Sequence, residues 1–191
     1  MNTIEELEEY AKRHYVPIAR KATVAFMIDL IRKNNYTSFF EIGTAIGYTS
    51  IVLSKEFENI KILTIEHDGY ALKRAKDNFK SYGVEKNITI IDGDAVFFDT
   101  DEKFDLIFID AAKKKNWFFL EKFSKNLTDN GTIIVDNMNL DDFWIGANKD
   151  KKAEYDRVNR EFKEFVLTSD RYDATLYDDI GDGIVVIKPI K

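Results

Sequence analysis

The chain of 191 residues contains no cysteine. This absence excludes a disulfide scaffold, a cysteine-ligated metal and a thiol nucleophile. Proline occurs only twice, and no proline- or serine-rich linker divides the sequence. No apolar run approaches the roughly 18 residues that a membrane-spanning helix needs. Even the apolar stretch 24–31 is interrupted by Asp29, so we expect no contact with a membrane.

Positive charge is also in deficit, because 28 Lys and Arg face 34 Asp and Glu for a net charge of −6. A global positive field that would attract nucleic acid is therefore absent, although a local basic patch is still allowed. The N-terminus carries four glutamates within residues 5–9, which is the wrong charge for a signal peptide. We therefore expect a cytoplasmic protein.

Hydrophobic residues make up 45% of the chain and charged residues 32%, which indicates one soluble globular domain over residues 1–191. Five short apolar runs predict buried parallel strands, at 39–42, 60–65, 88–91, 106–109 and 132–135. Stretches with helical spacing accompany them, at 19–33, 49–57, 70–82 and 116–127. This alternation predicts an open α/β sheet with right-handed crossovers.

The two ends of the chain depart from this rhythm. A charged helix is predicted over 149–168, followed by strands at 172–177 and 184–187 around a polar turn. These strands predict a C-terminal β-hairpin whose second strand inserts antiparallel into the sheet edge. An N-terminal helical segment within 1–35, beginning with a helix over 3–13, is expected outside the core of residues 36–191.

Every predicted parallel strand ends on an acid, and ligands of open α/β sheets bind at these carboxyl ends. The acids are Glu41, Glu66, Asp92 with Asp94, Asp110 and Asp136. The first strand continues into the glycine loop EIGTAIGYTS, residues 41–50. Its spacing is neither the dinucleotide fingerprint nor the phosphate loop, so a pyrophosphate cradle is disfavoured.

The loop and the acids after the second and third strands favour a positively charged nucleoside without phosphates. Gly43 and Gly47 allow close backbone approach to a ligand, and Glu41 suits a cationic one. Glu66 is placed to accept both ribose hydroxyls, and Asp94 with Ala95 could contact an adenine ring. S-adenosylmethionine, a sulfonium nucleoside with an amino-acid tail, has these properties.

Asp110, Asp136 and Asn137 follow the fourth and fifth strands. If these strands are neighbours, three oxygen ligands without Cys or His select a hard cation such as Mg²⁺. The alternative is that the two aspartates cap the following segments. A nearby divalent cation disfavours a charged ammonium, which makes Lys113 a candidate general base. The alternative for Lys113 is a solvated member of the run Lys113–Lys115.

Together these motifs resemble the cation-dependent S-adenosylmethionine O-methyltransferases of the catechol and caffeoyl-CoA type. The matching stretches are VPI at 16–18, the loop at 41–50, IE at 65–66, GDA at 93–95, FDLIFIDAAK at 104–113, GTIIVDNM at 131–138 and GDG at 181–183. Among relatives, the combination looks most like the bacterial tRNA 5-hydroxyuridine methyltransferases. The family's Gly-Gln-Tyr-like run after the lysine is replaced here by Lys114-Lys115-Asn116, with Trp117 next. The aromatic side chain that the family places beside the cofactor's adenine is therefore either supplied by Trp117 or lost.

The resemblance implies a Rossmann-like class I fold with a mostly parallel seven-stranded sheet, a C-terminal antiparallel hairpin and helices on both faces. It implies S-adenosylmethionine and Mg²⁺ as cofactors, with Lys113 taking the substrate proton. The implied metal ligands are Asp110, Asp136 and Asn137. The implied cofactor-binding residues are Val16, Glu41, Gly43, Thr44, Gly47, Thr49, Glu66, Gly93, Asp94, Ala95 and Asp110.

Two substrates are open at this point. The resemblance points to the wobble 5-hydroxyuridine of tRNA, with a basic rim formed by Lys113–Lys115, Lys149, Lys151, Lys152, Arg157 and Arg160. Interleaved acids make a solvated helix face an equally good account of that rim. The alternative is a small catechol-like phenol in an apolar cleft lined by Phe143 and Trp144. A non-catalytic binding module is the third hypothesis, and a homodimer is expected because relatives are often dimers.

Overall fold

The computed structural model describes residues 3–139 and 149–190 and, in them, one seven-stranded sheet in the order β3-β2-β1-β4-β5-β7-β6. The strands are β1 (Ser38–Ile42), β2 (Lys61–Glu66), β3 (Ile88–Asp92), β4 (Phe104–Ile109), β5 (Leu127–Asp136), β6 (Tyr172–Tyr177) and β7 (Ile184–Pro189). The helices are α1 (Ile4–Arg13), α2 (Lys21–Asn34), α3 (Tyr48–Glu56), α4 (Gly69–Tyr82), α5 (Asn116–Phe123) and α6 (Lys149–Thr168).

Each central strand supplies side chains to both faces of the sheet. In β1, Phe39 joins a cluster with residues of α1 to α4, whereas Phe40 joins a second cluster with residues of α5 and α6. Both phenylalanines have no exposed surface. The alternation follows from the two-residue period of a strand, and it explains why the strand sequences are apolar without a break. The predicted α/β class with helices on both faces is confirmed.

β1 pairs in parallel with β2 on one side and with β4 on the other, so strand order reverses between β1 and β4. At such a switch point the crossover connections run in opposite directions, which in open α/β sheets leaves a crevice at the carboxyl ends of the two strands. Ile42 and Ile109 are register partners at this edge. The residues that follow them, Gly43 and Asp110, are thus brought side by side.

The predicted hairpin is confirmed, since β7 pairs antiparallel with both β5 and β6. The predicted helix over 116–127 is shorter than expected. It ends at Phe123 and a 3₁₀ turn over Ser124–Asn126 leads directly into β5. Asn126 anchors this turn, since its side-chain amide donates to the carbonyls of Thr100 and Glu102, at 2.8 and 2.9 Å.

The expectation that the N-terminal helix lies outside the core was wrong. A capping box between Thr3 and Glu6 starts α1, and Leu7 and Ala11 are buried in the cluster shared with α2 to α4. The charged face of α1 hid this apolar stripe from a count of composition. In the described part of the chain, none of the helices combines the length and the apolar character that crossing a bilayer requires.

Candidate active site

The loop between β1 and α3 lies directly against the end of β4. The amide of Gly43 donates to the carbonyl of Ile65 (3.1 Å), and the amide of Asp110 donates to the carbonyl of Ile42 (3.0 Å). Gly43 has a φ of +101°, and a Cβ there would lie 2.3 Å from the Asp110 carbonyl oxygen. Only glycine fits both constraints. This glycine therefore sets how closely Asp110 approaches the glycine loop of residues 41–50, called the cofactor loop below after its predicted role.

Glu41 is a buried acid under this loop, with 1% of its surface exposed. Its Oε2 accepts hydrogen bonds from the hydroxyls of Ser50 (2.6 Å) and Thr64 (2.8 Å). Burial nevertheless raises the pKa of Glu41 to about 7, because desolvation of the charged form outweighs these hydrogen bonds. Glu41 thus contacts the end of the loop at Ser50 and the neighbouring strand at Thr64. Its predicted role in binding a cationic ligand stays a prediction.

Glu66 joins the cofactor loop to the end of β2. Its Oε2 accepts from the amide of Ala45 (2.9 Å), and its Oε1 accepts from the amides of His67 (2.9 Å) and Asp68 (2.8 Å). Each carboxylate oxygen can accept two hydrogen bonds. These three amides hold Glu66 in place and leave one acceptor position, on Oε2. That position suffices for one ribose hydroxyl, and acceptance of both hydroxyls stays a prediction.

The structure places the two predicted threonines, Thr44 and Thr49, within the glycine loop, and Val16 in the segment between α1 and α2. The Thr44 and Thr64 hydroxyls lie 2.6 Å apart, and Thr49 is buried at the start of α3. The Val16 amide donates to the carbonyl of Ala11 (2.9 Å), and its half-buried side chain packs on the core. Gly47, with a φ of +85°, leaves no room for a Cβ because the ring of Phe79 lies 2.4 Å from that position.

Asp94, at the predicted adenine site, pairs with a lysine. Its Oδ1 accepts from the amide of Val96 (2.9 Å), and Lys115 Nζ lies 3.4 Å from Oδ2. The Val96 amide, followed by Lys115, lowers the pKa of Asp94. A Cβ on the neighbouring Gly93 would meet no atom within 4 Å, so space beside it is open. Ala95 is buried.

Trp117 packs against α6, whereas Lys115 reaches the predicted adenine site. Its ring stacks on Phe165 with centroids 4.0 Å apart and planes 25° apart. Lys115 is the side chain that reaches Asp94 from this turn. Because Trp117 stacks on Phe165, this packing favours the alternative in which the aromatic beside the adenine is lost, over the one in which Trp117 supplies it.

Asp110, Lys113 and Asp136 form the polar centre of the site. Lys113 Nζ donates to Asp110 Oδ1 at 2.8 Å, and both side chains are less than one-quarter exposed. Asp136 is 1% exposed. Burial, and then the charge of Asp110, raise the pKa of Asp136, while Lys113 acts in the opposite direction. These mutual effects show that the three groups lie within electrostatic reach of one another.

The two oxygens of Asp136 differ sharply. Oδ1 accepts from the amide of Asn137 at 2.8 Å, whereas Oδ2 is buried without a hydrogen-bond partner. A buried, unpartnered carboxylate oxygen is costly unless a ligand satisfies it, so this donor set fits a hard cation. Over residues 3–139 and 149–190, no three His, Cys, Asp or Glu side chains form a ready metal cluster. The candidate site has two carboxylates and one amide.

Sequence reasoning missed the residues that hold Asn137. Asn137 has a φ of +62°, its carbonyl accepts from Asn159 Nδ2 at 3.1 Å, and its own Nδ2 lies 3.4 Å from Asp182 Oδ2. Arg20 Nε donates to the same Asp182 oxygen at 2.8 Å. The only sequence signal was the GDG motif at 181–183, to which no role was assigned.

The predicted basic rim is largely paired with acids in the described part of the chain. Besides the pairs of Lys113 and Lys115, the rim forms Lys114–Glu154 (2.7 Å), Lys152–Asp156 (2.7 Å) and Arg157–Glu161 (3.7 Å). This pattern favours a solvated, charge-balanced face. The side chains of Lys149 and Lys151, and the apolar cleft predicted at Phe143 and Trp144, lie outside the described residues.

Comparisons with known proteins identify the family to which the chain belongs. The family model described as O-methyltransferase matches residues 1–190. A Staphylococcus aureus protein, provisionally described as a caffeoyl-CoA O-methyltransferase, is 30% identical with a TM-score of 0.88, covering 100% of this chain and 93% of its own. The Aspergillus flavus O-methyltransferase imqG is 28% identical over 189 residues, which are 93% of this chain and 76% of imqG.

The Podospora anserina methyltransferase PaMTH1, solved with S-adenosylhomocysteine bound, shares the fold. Its TM-score is 0.82 at 23% identity, over 98% of this chain and 88% of its own. The family model spans nearly the whole sequence, and the fold places the predicted loop and acids at one crevice. The chain therefore belongs to the O-methyltransferase family and is an S-adenosylmethionine-dependent O-methyltransferase of that family.

Proposed function

We propose that this enzyme methylates a hydroxyl that lies beside a second oxygen on its substrate, with the help of a divalent cation. The observation that carries the proposal is the Lys113–Asp110 pair, at 2.8 Å, beside a buried Asp136 whose Oδ2 has no partner. The unpartnered Asp136 oxygen is available as a cation ligand. Lys113, which is ion-paired with Asp110 here, would accept a proton once a bound cation disfavours its charged form.

Cofactor binding is supported by the loop and by relatives. S-adenosylhomocysteine is bound to PaMTH1, and S-adenosylmethionine is bound to TomG of Streptomyces achromogenes, which shares the fold with a TM-score of 0.78 at 19% identity. In this chain we assign the ribose to Glu66, the adenine to the open space beside Gly93 and Asp94, and the methionine end to the turn from Gly43 to Gly47.

Asp110, Asp136 and Asn137 would hold the cation, which when bound lowers the pKa of a coordinated hydroxyl and orients it. Lys113 Nζ would receive the hydroxyl proton in its uncharged form, which a bound cation would favour over the ion pair with Asp110. The substrate oxygen then forms a bond to the methyl carbon as the carbon–sulfur bond breaks, and S-adenosylhomocysteine leaves. The protein contributes mainly alignment, and effective molarity in such reactions lowers the barrier by roughly 7–11 kcal/mol.

Two substrates present a hydroxyl next to a second oxygen. The first candidate is 5-hydroxyuridine at the wobble position of tRNA, where the ring hydroxyl adjoins a carbonyl, and the motif resemblance supports it. The second is a small catechol-like phenol. The pairing of Lys114, Lys152 and Arg157 with acids favours this second candidate, because paired lysines offer less charge to phosphates.

The test is incubation with methyl-labelled S-adenosylmethionine, Mg²⁺ and either total tRNA or a catechol panel, followed by nucleoside or product analysis. We expect label in one arm and its loss in chelator. Asp136→Ala should abolish methylation yet still be stabilised thermally by S-adenosylmethionine, and Lys113→Ala should lower turnover by about 10²- to 10⁴-fold. Full turnover in chelator would refute the role of the cation.

A further inference from the structure

We propose that Arg20 and Asp182 are positioning residues that orient the Asn137 amide, with its oxygen directed to the cation site. This inference rests on the cation site proposed above. Asp182 Oδ2 accepts from Arg20 Nε at 2.8 Å and faces Asn137 Nδ2 at 3.4 Å. One carboxylate oxygen thus joins the start of α2 to a predicted metal ligand more than 100 residues away.

The turn that carries Asp182 is held on one side by the segment after β5 and on the other side by α2. The amide of Asn139 donates to the Asp182 carbonyl at 2.7 Å, and the amide of Met138 donates to the Gly183 carbonyl at 2.9 Å. On the other side, a Cβ on Gly181 would lie 2.3 Å from Thr23 Oγ1 in α2. The turn is therefore packed between α2 and the segment that follows β5.

The chemistry of an amide gives this contact its consequence. The two ends of the Asn137 side chain have similar shapes, but only the oxygen can bind a cation, and the nitrogen can only donate. A carboxylate accepts from the nitrogen and repels the oxygen. With Asp182 on the nitrogen side, the oxygen is left for the cation. Ligand orientation by such outer partners commonly changes metal affinity by about 10- to 100-fold.

Arg20→Met separates positioning from bulk electrostatics, because the two predict opposite signs. Removing a positive charge near a cation site should tighten cation binding if charge alone matters. If Arg20 holds Asp182 in place, its loss frees the carboxylate and weakens cation binding. We expect a Kd for Mn²⁺ about tenfold higher than that of the wild type. Lys21→Met is the matched control, because it removes the neighbouring positive charge, which pairs with Glu8.

Asp182→Asn tests the second residue, with Asp178→Asn as its control. Asn139 Nδ2 donates to Asp178 Oδ1 at 2.8 Å, so both variants remove one carboxylate from an asparagine–aspartate contact on the same turn. Only Asp182 faces Asn137. We expect about a tenfold loss of Mn²⁺ affinity in Asp182→Asn and a change of less than about twofold in Asp178→Asn.

The readout is Mn²⁺ binding followed by electron paramagnetic resonance, without S-adenosylmethionine or substrate. Cofactor affinity measured without metal confirms that each variant is folded. No Mn²⁺ binding by the wild type would overturn the cation site and this inference with it. If the wild type binds Mn²⁺ and Asp182→Asn binds it equally well, or Arg20→Met binds it more tightly, this inference alone is overturned.

Discussion

At the scale of single residues, Glu41 is a buried acid of the candidate active site. Its carboxylate has 1% of its surface exposed and hydrogen bonds from Ser50 and Thr64 only partly offset the loss of water. The folded protein therefore retains the Glu41 proton to a pH of about 7, whereas the ordinary pKa is 4.5. Folding is favoured less once this group must ionise in place.

We predict that Glu41→Gln changes how stability depends on pH. Because the folded pKa is raised, the wild type loses stability as pH rises from about 4.5 to about 7, and Gln does not titrate. The free energy of unfolding of Glu41→Gln relative to wild type should thus increase across this window by up to about 3 kcal/mol and level off above it.

Urea denaturation at several pH values on either side of this window provides the measurement. Glu9→Gln is the control, because the Glu9 side chain is 60% exposed, and its curve should run parallel to that of the wild type. Parallel curves for Glu41→Gln as well would mean that the Glu41 carboxyl does not carry this pH dependence.

At the scale of elements, the site depends on how the β1–α3 loop rests on the end of β4. The loop turns at Gly43, where the Asp110 carbonyl oxygen occupies the space of a Cβ. That oxygen belongs to the backbone, so it cannot rotate away as a side chain could. The same contact places the cofactor loop next to the predicted cation ligand, which links the two binding sites through one glycine.

We predict that Gly43→Ala costs about 1–3 kcal/mol of the free energy of unfolding and weakens S-adenosylmethionine binding at least tenfold. The alanine would have to adopt a φ near +101°, and its Cβ would clash with the Asp110 carbonyl oxygen at 2.3 Å. Gly69→Ala is the matched control, since a Cβ there meets no atom within 4 Å. Denaturation and calorimetry supply the two measurements, and equal behaviour of both variants would contradict the steric argument.

At the scale of the whole molecule, charge is balanced locally as well as negative overall. The net charge is −6, and the described rim lysines each have an acidic partner close by. The phosphates of a tRNA substrate would have to compete with these acids for the lysines. Their binding would release counterions, which makes the affinity depend on salt. A neutral phenol would need neither change, so salt distinguishes the two substrates.

We predict that kcat/KM for tRNA, if tRNA is the substrate, falls more than about tenfold as salt rises from roughly 50 to 200 mM. For a neutral catechol it should change less than about twofold, because no phosphate contact is lost. Steady-state methylation across a salt series makes the measurement. Methylation of tRNA that does not vary with salt would argue against recognition through phosphates.

The sequence by itself determined the α/β class, the hairpin and the kinds of side chain that stand at the strand ends. Buried parallel strands must be apolar throughout, and acids at their ends stand out against that background. Glu66, Asp110 and Asp136 were predicted in this way, because each ends a strand or follows one directly. Lys113 was predicted from its place three residues after Asp110.

Only the tertiary structure decided which of these groups meet. Periodic patterns report local burial, but Asp110 lies beside Asp136 because β4 pairs with β5. The apolar stripe of α1 indicates that Leu7 is buried, but it does not say against which helices Leu7 packs. The Arg20–Asp182 contact joins residues 162 positions apart. Such approaches depend on how helices and turns pack across the sheet, a property of the folded chain that no short stretch of sequence encodes.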